Sequence, residues 1–292
     1  MKKMLLLITI LMCVLLPARA RAIDPGSASG SFTFDKDTIQ LKYAYVHLHD
    51  NAEGWLDTAR EMRVLVTDRQ VPQESLAGLN AFSTLAEMLR QDKVRGVLLR
   101  FDPAAPNSIM ISKIFPPKDP NESLTNMSLG YGDRSPIDNL QISDQRVSGA
   151  FKMHTAANEE MGWVLEDYAL TFSAPLFKEP AITSDVTGNK ALKSPQAGAL
   201  LAKCAAMAKG DMKKARQYAT DRSNLEVDTY LAQAGEEAKP MFQQMAVEQE
   251  KAVKKGPLRL VVRGNRATLI IGESDGKNLL EFVQQGGKWK TD

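Results

Sequence analysis

The chain has 292 residues, 43% of them apolar and 25% charged, which excludes a disordered tail or a fibrous repeat. Its formal charge is +2, from 37 basic and 35 acidic residues, which excludes a strongly basic nucleic-acid binder. The length argues for two folded units.

Residues 1–22 have the form of an export leader. Lys2 and Lys3 head an apolar run, Met4 to Leu16, that is short for a mature membrane span. Pro17 ends it, and Ala20-Arg21-Ala22 provides small residues for cleavage after Ala22, with Ala20 the alternative. Lipid attachment at Cys13 is disfavoured because Met12 stands where a small residue is wanted. The leader holds Lys2, Lys3, Arg19 and Arg21 and no acid. Removing it leaves 33 basic against 35 acidic residues, net −2. The expected product is periplasmic or secreted, with no membrane span, and nothing in its charge favours nucleic acid or an anionic membrane. Cys13 leaves with the leader, so Cys204 has no disulfide partner. It falls in the apolar periodicity Leu200, Leu201, Cys204, Met207, which predicts a small buried hydrophobe rather than a reactive thiol.

Residues 23–29, rich in Gly, Ser and Pro, read as a flexible lead-in. From 30 to 177 the pattern is mainly β. Strands are expected at Ser31–Phe34, along the alternating run Thr38–His49, and at Met62–Thr67. One helix follows, capped by Ser75 and carrying Leu76, Leu79, Phe82, Leu85, Met88 and Leu89. More strands are expected at 94–101, 108–115, 140–142, 145–155 and 166–174, with a long Pro- and Asn-rich loop over 116–138 that has room for one short strand at Asn126–Leu129. The fold class predicted for this unit is an antiparallel β sandwich or partly closed barrel with one helix. Residues 178–194 lose periodicity and read as an interdomain linker.

The last unit, 195–292, is predicted to be α+β. Ser194-Pro195 starts a helix, and helices are expected at about 195–209, 211–220, 224–234 and 236–254. Met241, Phe242 and Met245 are expected to be the apolar stripe of the last. A four-stranded meander closes the chain, its turns at Gly264-Asn265, Asp275-Gly276 and Gly286-Gly287. A meander this small needs the helices to cover it. The phrase AAMAKGDMKKARQYAT and the ending LLEFVQQGGKWKTD resemble the nuclear-transport-factor-2-like and cystatin-like cone domains. That resemblance implies a sheet wrapped round helices, often with a pocket, and often no catalysis. The first unit resembles the β-rich exported proteins of bacteria.

His47 and His49 share one strand face, with Asp50 next; with His154 they are the candidate metal ligands, against the alternative that the strand end is an exposed polar edge. No Gly-x-Ser-x-Gly elbow is present, and Gly130-Tyr131-Gly132 lacks the helix that a phosphate loop needs. The pairs Glu159-Glu160, Glu166-Asp167 and Glu236-Glu237 read as solvated surface. Tyr218, Tyr230, Phe242 and Phe282 are the residues expected to line a pocket in the last unit, though sparse aromatics also serve as core. The leading expectation is a non-catalytic exported binding or accessory protein of the bacterial envelope, needing no cofactor, for a small apolar ligand or a protein partner. Two alternatives stand beside it: an envelope structural or interaction protein acting through the β-rich unit, and a metal-dependent enzyme using His47 and His49.

Overall fold

The structure is a computed structural model, and it describes residues 25–52, 54, 58–115, 126–130, 132–158, 160–161, 163–235, 237–272 and 277–292. The leader 1–22, Trp55 and the Asp275-Gly276 turn lie outside these residues.

Ten strands form one curled antiparallel sheet, a half-barrel. They are β1 (Gly26–Phe34), β2 (Asp37–Gln40), β3 (Tyr43–Asp50), β4 (Arg60–Thr67), β5 (Gly96–Asp102), β6 (Ala105–Ile114), β7 (Asn126–Gly130), β8 (Ile137–Ile142), β9 (Arg146–Thr155) and β10 (Glu166–Lys178). The order is β7-β6-β5-β4-β3-β1-β10-β9-β8, with β2 paired to β1. The sandwich option is therefore corrected: one continuous sheet curls on itself. Three differences from expectation concern local structure. The lead-in is already strand from Gly26, because Ser27 pairs with Ser173 of β10. The alternating run breaks at Leu41-Lys42 into β2 and β3. Ser75 sits in a 3-10 turn, Gln73–Leu76, and the helix α1 (Ala81–Arg90) begins after Asn80 instead.

The inner face packs Val46, Val64, Val66, Leu99 and Ile111 around an aromatic knot. In it the rings of Phe32 and Tyr168 stack at 4.6 Å and Phe151 meets Tyr168 edge-on at 5.6 Å. The alternate residues Tyr45, Leu65 and Leu98 point outward against Leu85 and Leu89 of α1. Strands β3 to β5 are thus buried on both faces, which is why Met62–Thr67 reads as a continuous apolar run. Tyr45, His47 and His49 lie on this outer face, and beyond the reach of α1 the second sheet takes over as cover.

The second sheet has five strands: β11 (Ser184–Thr187), β12 (Leu258–Arg263), β13 (Arg266–Ile271), β14 (Asn278–Gln285) and β15 (Lys288–Thr291), in that order. The expected meander is present, and β11 adds a strand from within 178–194. Most of that stretch is structured, since α2 (Gly188–Leu192) follows at once. Val186 is the one apolar side chain of β11, too few to create a period, and the Asp185 carboxylate holds Arg259 of β12 at 2.7 and 3.0 Å. In the last hairpin Gly286 and Gly287 both take positive φ (57° and 76°), as a two-residue type I′ turn requires.

Helices α3 (Pro195–Ala208), α4 (Met212–Ala215), α5 (Asp221–Ala234) and α6 (Ala238–Lys255) fall at the expected places, but α4 is shorter than the expected 211–220 and gives way to a 3-10 turn at Arg216–Tyr218. Ser194 caps α3, accepting from Ala197 N at 3.1 Å, with Pro195 at its first position. Helices α3 and α6 pack Leu200, Cys204, Ala246 and Val253 onto Leu260, Leu269 and Phe282 of the sheet. The buried face of α6 is therefore Ala246 and Val253. The predicted stripe is corrected: Met241 and Met245 point outward, 40% and 53% exposed. Small alanines let α6 lie close to α3, and the long methionines are left on the far side.

Candidate functional site

The opposite face of the second sheet meets the outer face of the half-barrel in a seam of buried charge. His49 and Glu179 stand at its centre, with Nδ1 and Oε1 2.8 Å apart. Glu179 also accepts from Gly78 N at 3.1 Å and lies 3.6 Å from Arg263 of β12. Arg63 of β4 donates to the carbonyls of Leu76 and Gly78 at 2.9 and 2.6 Å and to Glu61 at 2.7 Å. Glu281 of β14 accepts from Asn80 N at 2.8 Å. The loop Ala77–Asn80 is thus clamped between the sheets by side chains from both.

His47 and His49 are 0% and 1% exposed, which corrects the reading of the strand end as a solvated edge. Neither ring nitrogen of His47 has a hydrogen-bond partner. Burial pushes its imidazole down to about 3, against the pull of the Glu179 charge and with help from Arg63. In Glu179 burial is the largest single influence and acts to raise the carboxyl, but the His49 hydrogen bond, the two histidine rings and the Gly78 N–H together outweigh it and the group falls to about 2. His154 is not part of the seam: it pairs with Asp167 at 3.2 Å on an exposed face of β9 and β10. Among the described residues no three or more His, Cys, Asp or Glu side chains gather as a metal site. The space at the seam is about 30 Å³, room for a single water. Its chemistry is that of a joint between two sheets.

Glu166 is also less exposed than expected of a surface acid, because Lys113 reaches it at 2.5 Å. Cys204 is fully buried on α3, its Sγ 3.4 Å from Gln249 Oε1, and burial raises its thiol to about 11. The folded protein is expected to resist 5,5′-dithiobis(2-nitrobenzoate) and to react with it only in denaturant; prompt labelling of the native chain would contradict this burial.

Room for a ligand lies elsewhere, in an open cleft of about 510 Å³ between α4, α5 and α6. This is within the usual range for small-molecule and peptide clefts. Met212, Leu231 and Phe242 supply its apolar wall, and Lys213, Arg216 and Lys239 supply positive charge, offset by Asp211 in the lining and by Asp228, which pairs with Arg216. Phe242 meets Tyr230 edge-on at 5.4 Å, and the Tyr230 hydroxyl lies 4.0 Å from Met241 Sδ. Tyr230, Met241 and Met245 thereby carry the apolar surface out of the cleft onto the exposed flank of α6. Of the four residues expected to line a pocket, Phe242 lines this cleft and Tyr230 borders it. Tyr218, in the 3-10 turn Arg216–Tyr218, accepts from Thr291 at its carbonyl, and Phe282 is fully buried in the core of the second sheet.

Sequence reasoning did not find Arg63, Glu179, Arg263, Arg266 or Glu281. A signal was present: Arg259 and Arg263 alternate with apolar residues along β12, on the face that the helices do not cover. No protein-family model, curated protein or solved structure matches this chain.

Proposed function

We propose that the chain is an exported, non-catalytic binding protein of the bacterial envelope, and that the α4–α5–α6 cleft seats an acidic amphipathic helix of a partner protein. In this reading the half-barrel, 30–177, carries a cone-like unit, 195–292, of the nuclear-transport-factor-2-like and cystatin-like kind. Helices α3 and α6 covering one face of the second sheet support that likeness. The observation that carries the proposal is the exposed stripe of Tyr230, Met241 and Met245 continuing an apolar cleft. Solvent-facing methionines beside an aromatic wall are an adaptable surface for an apolar helix face. Lys213 and Lys239 select acidic side chains along the helix flanks.

The test is fluorescence anisotropy with two labelled amphipathic helical peptides that share a leucine face and carry either Glu or Lys on the polar face. The Glu peptide is expected to bind at least about tenfold more tightly than the Lys peptide, and Phe242→Ala or Met245→Asp to weaken it by a similar factor. Equal affinity for both peptides, or none for either, would refute the assignment. Export is checked separately by N-terminal sequencing of the mature protein, expected to begin at Ile23, or at Arg21 if cleavage follows Ala20.

A further inference from the structure

We propose that Met241 and Met245, on the exposed flank of α6, are a site of reversible oxidation to the sulfoxide, and that a peroxide acting there releases the helix seated in the α4–α5–α6 cleft. The inference rests on the reading of that cleft given above. Both side chains stand open to solvent, 40% and 53% exposed, while Ala246 and Val253 hold α6 against its neighbours. Other methionines are placed differently. Met62 is 1% exposed, and Met127 and Met153 pack against the inner core of the half-barrel. Met212 is half-buried in the cleft wall. Met161, between β9 and β10, is 59% exposed, and so matches Met245 in access but belongs to the other sheet. Cys204 is fully buried, so its thiol does not compete for the oxidant.

The chemistry needs only access and hydrogen peroxide. A sulfur lone pair attacks one peroxide oxygen, an S–O bond forms and the O–O bond breaks. After one proton shift the second oxygen leaves as water, so the sulfur is oxidised by two electrons and the peroxide is reduced. The consequence is local. A flexible apolar side chain becomes a polar one, and its new oxygen is a strong acceptor. The apolar face of a docked helix offers that oxygen no donor, so seating the helix strips its water without replacement. The Met241 sulfur also lies 4.0 Å from the Tyr230 hydroxyl, and the Tyr230 ring meets Phe242 edge-on, so the change falls beside the aromatic wall. The packing of α6 rests on Ala246 and Val253, which no oxidant alters, so the fold survives while its docking surface changes.

The test treats the full chain with limiting hydrogen peroxide, maps sulfoxides by mass spectrometry, checks the fold by circular dichroism and measures the Glu peptide by anisotropy. Met161, Met245 and Met241 should oxidise while Met62 does not, and the folded, oxidised protein should bind the peptide at least about tenfold more weakly. The two methionine sulfoxide reductases, supplied with thiol, should restore the affinity. In Met241→Leu/Met245→Leu the affinity before and after peroxide should differ by less than about twofold, while Met161→Leu should lose as much as the wild type. Undiminished affinity with sulfoxide at both sites would overturn the proposal. So would two sulfurs that resist a dose oxidising Met161, or a double variant as sensitive as the wild type. If the untreated protein binds neither peptide, the reading of the cleft falls and this proposal with it, so the two failures are told apart.

Discussion

Glu179→Ala is expected to lower the stability of the folded protein by about 3–5 kcal/mol at neutral pH, the range found when one partner of a buried charge pair is removed. The carboxylate is about 5% exposed and serves three groups at once: the His49 ring, the Gly78 N–H and the Arg263 guanidinium. Alanine leaves all three in a space with room for one water. The loss falls on the joint, because His49 and Gly78 belong to the half-barrel side and Arg263 to the second sheet. Chemical denaturation measures it. Glu179→Gln keeps an acceptor oxygen and should lose less, which separates the contact from simple cavity formation. The contribution has a defined pH window. The folded carboxyl titrates near 2 and the unfolded one at 4.5, so the stabilisation is fully present above 4.5 and is lost as pH falls towards 2. A loss under about 1 kcal/mol for the alanine variant would show that the seam is not a structural joint.

The parts of this fold legible in the sequence are those set by local chemistry. Gly264 and the Gly286-Gly287 pair mark hairpins because few other residues tolerate the positive φ they adopt there, and Ser194-Pro195 marks a helix start because a cap and a missing N–H suit that position. The burial of Cys204 follows from the spacing of its neighbours on one helix face. Other parts depend on what arrives from far along the chain. Val186 alone cannot announce β11; the strand exists because Leu260 and Arg259 of β12 lie beside it. Met241 and Met245 have helical spacing, but Ala246 and Val253 win the inner face because small residues allow the helices to approach. The charged seam is the extreme case. His49, Glu179 and Arg263 look like solvated residues in isolation, and only the meeting of two sheets buries them.

His47→Leu is expected to make the protein less sensitive to acid without weakening it at neutral pH. The native imidazole is 0% exposed, both of its nitrogens lack partners, and its ring centre lies 5.5 Å from that of Phe177. A buried polar group without partners is unfavourable by about 1–3 kcal/mol, so an apolar side chain of similar size should be neutral or stabilising at pH 7. Acid changes the balance. The folded group stays neutral down to about 3, while the unfolded one takes up its proton near 6.5. Between those values the unfolded chain holds more protons, so stability falls as pH falls. From pH 7 to pH 5 the wild-type protein should lose about 2 kcal/mol through this residue, a loss that leucine abolishes. Glu179 acts in a lower window, below 4.5, and so does not obscure the comparison at pH 5. Urea denaturation of both proteins at the two pH values reads the difference directly. If the leucine variant loses as much stability as the wild type over this interval, His47 is not held neutral in the seam.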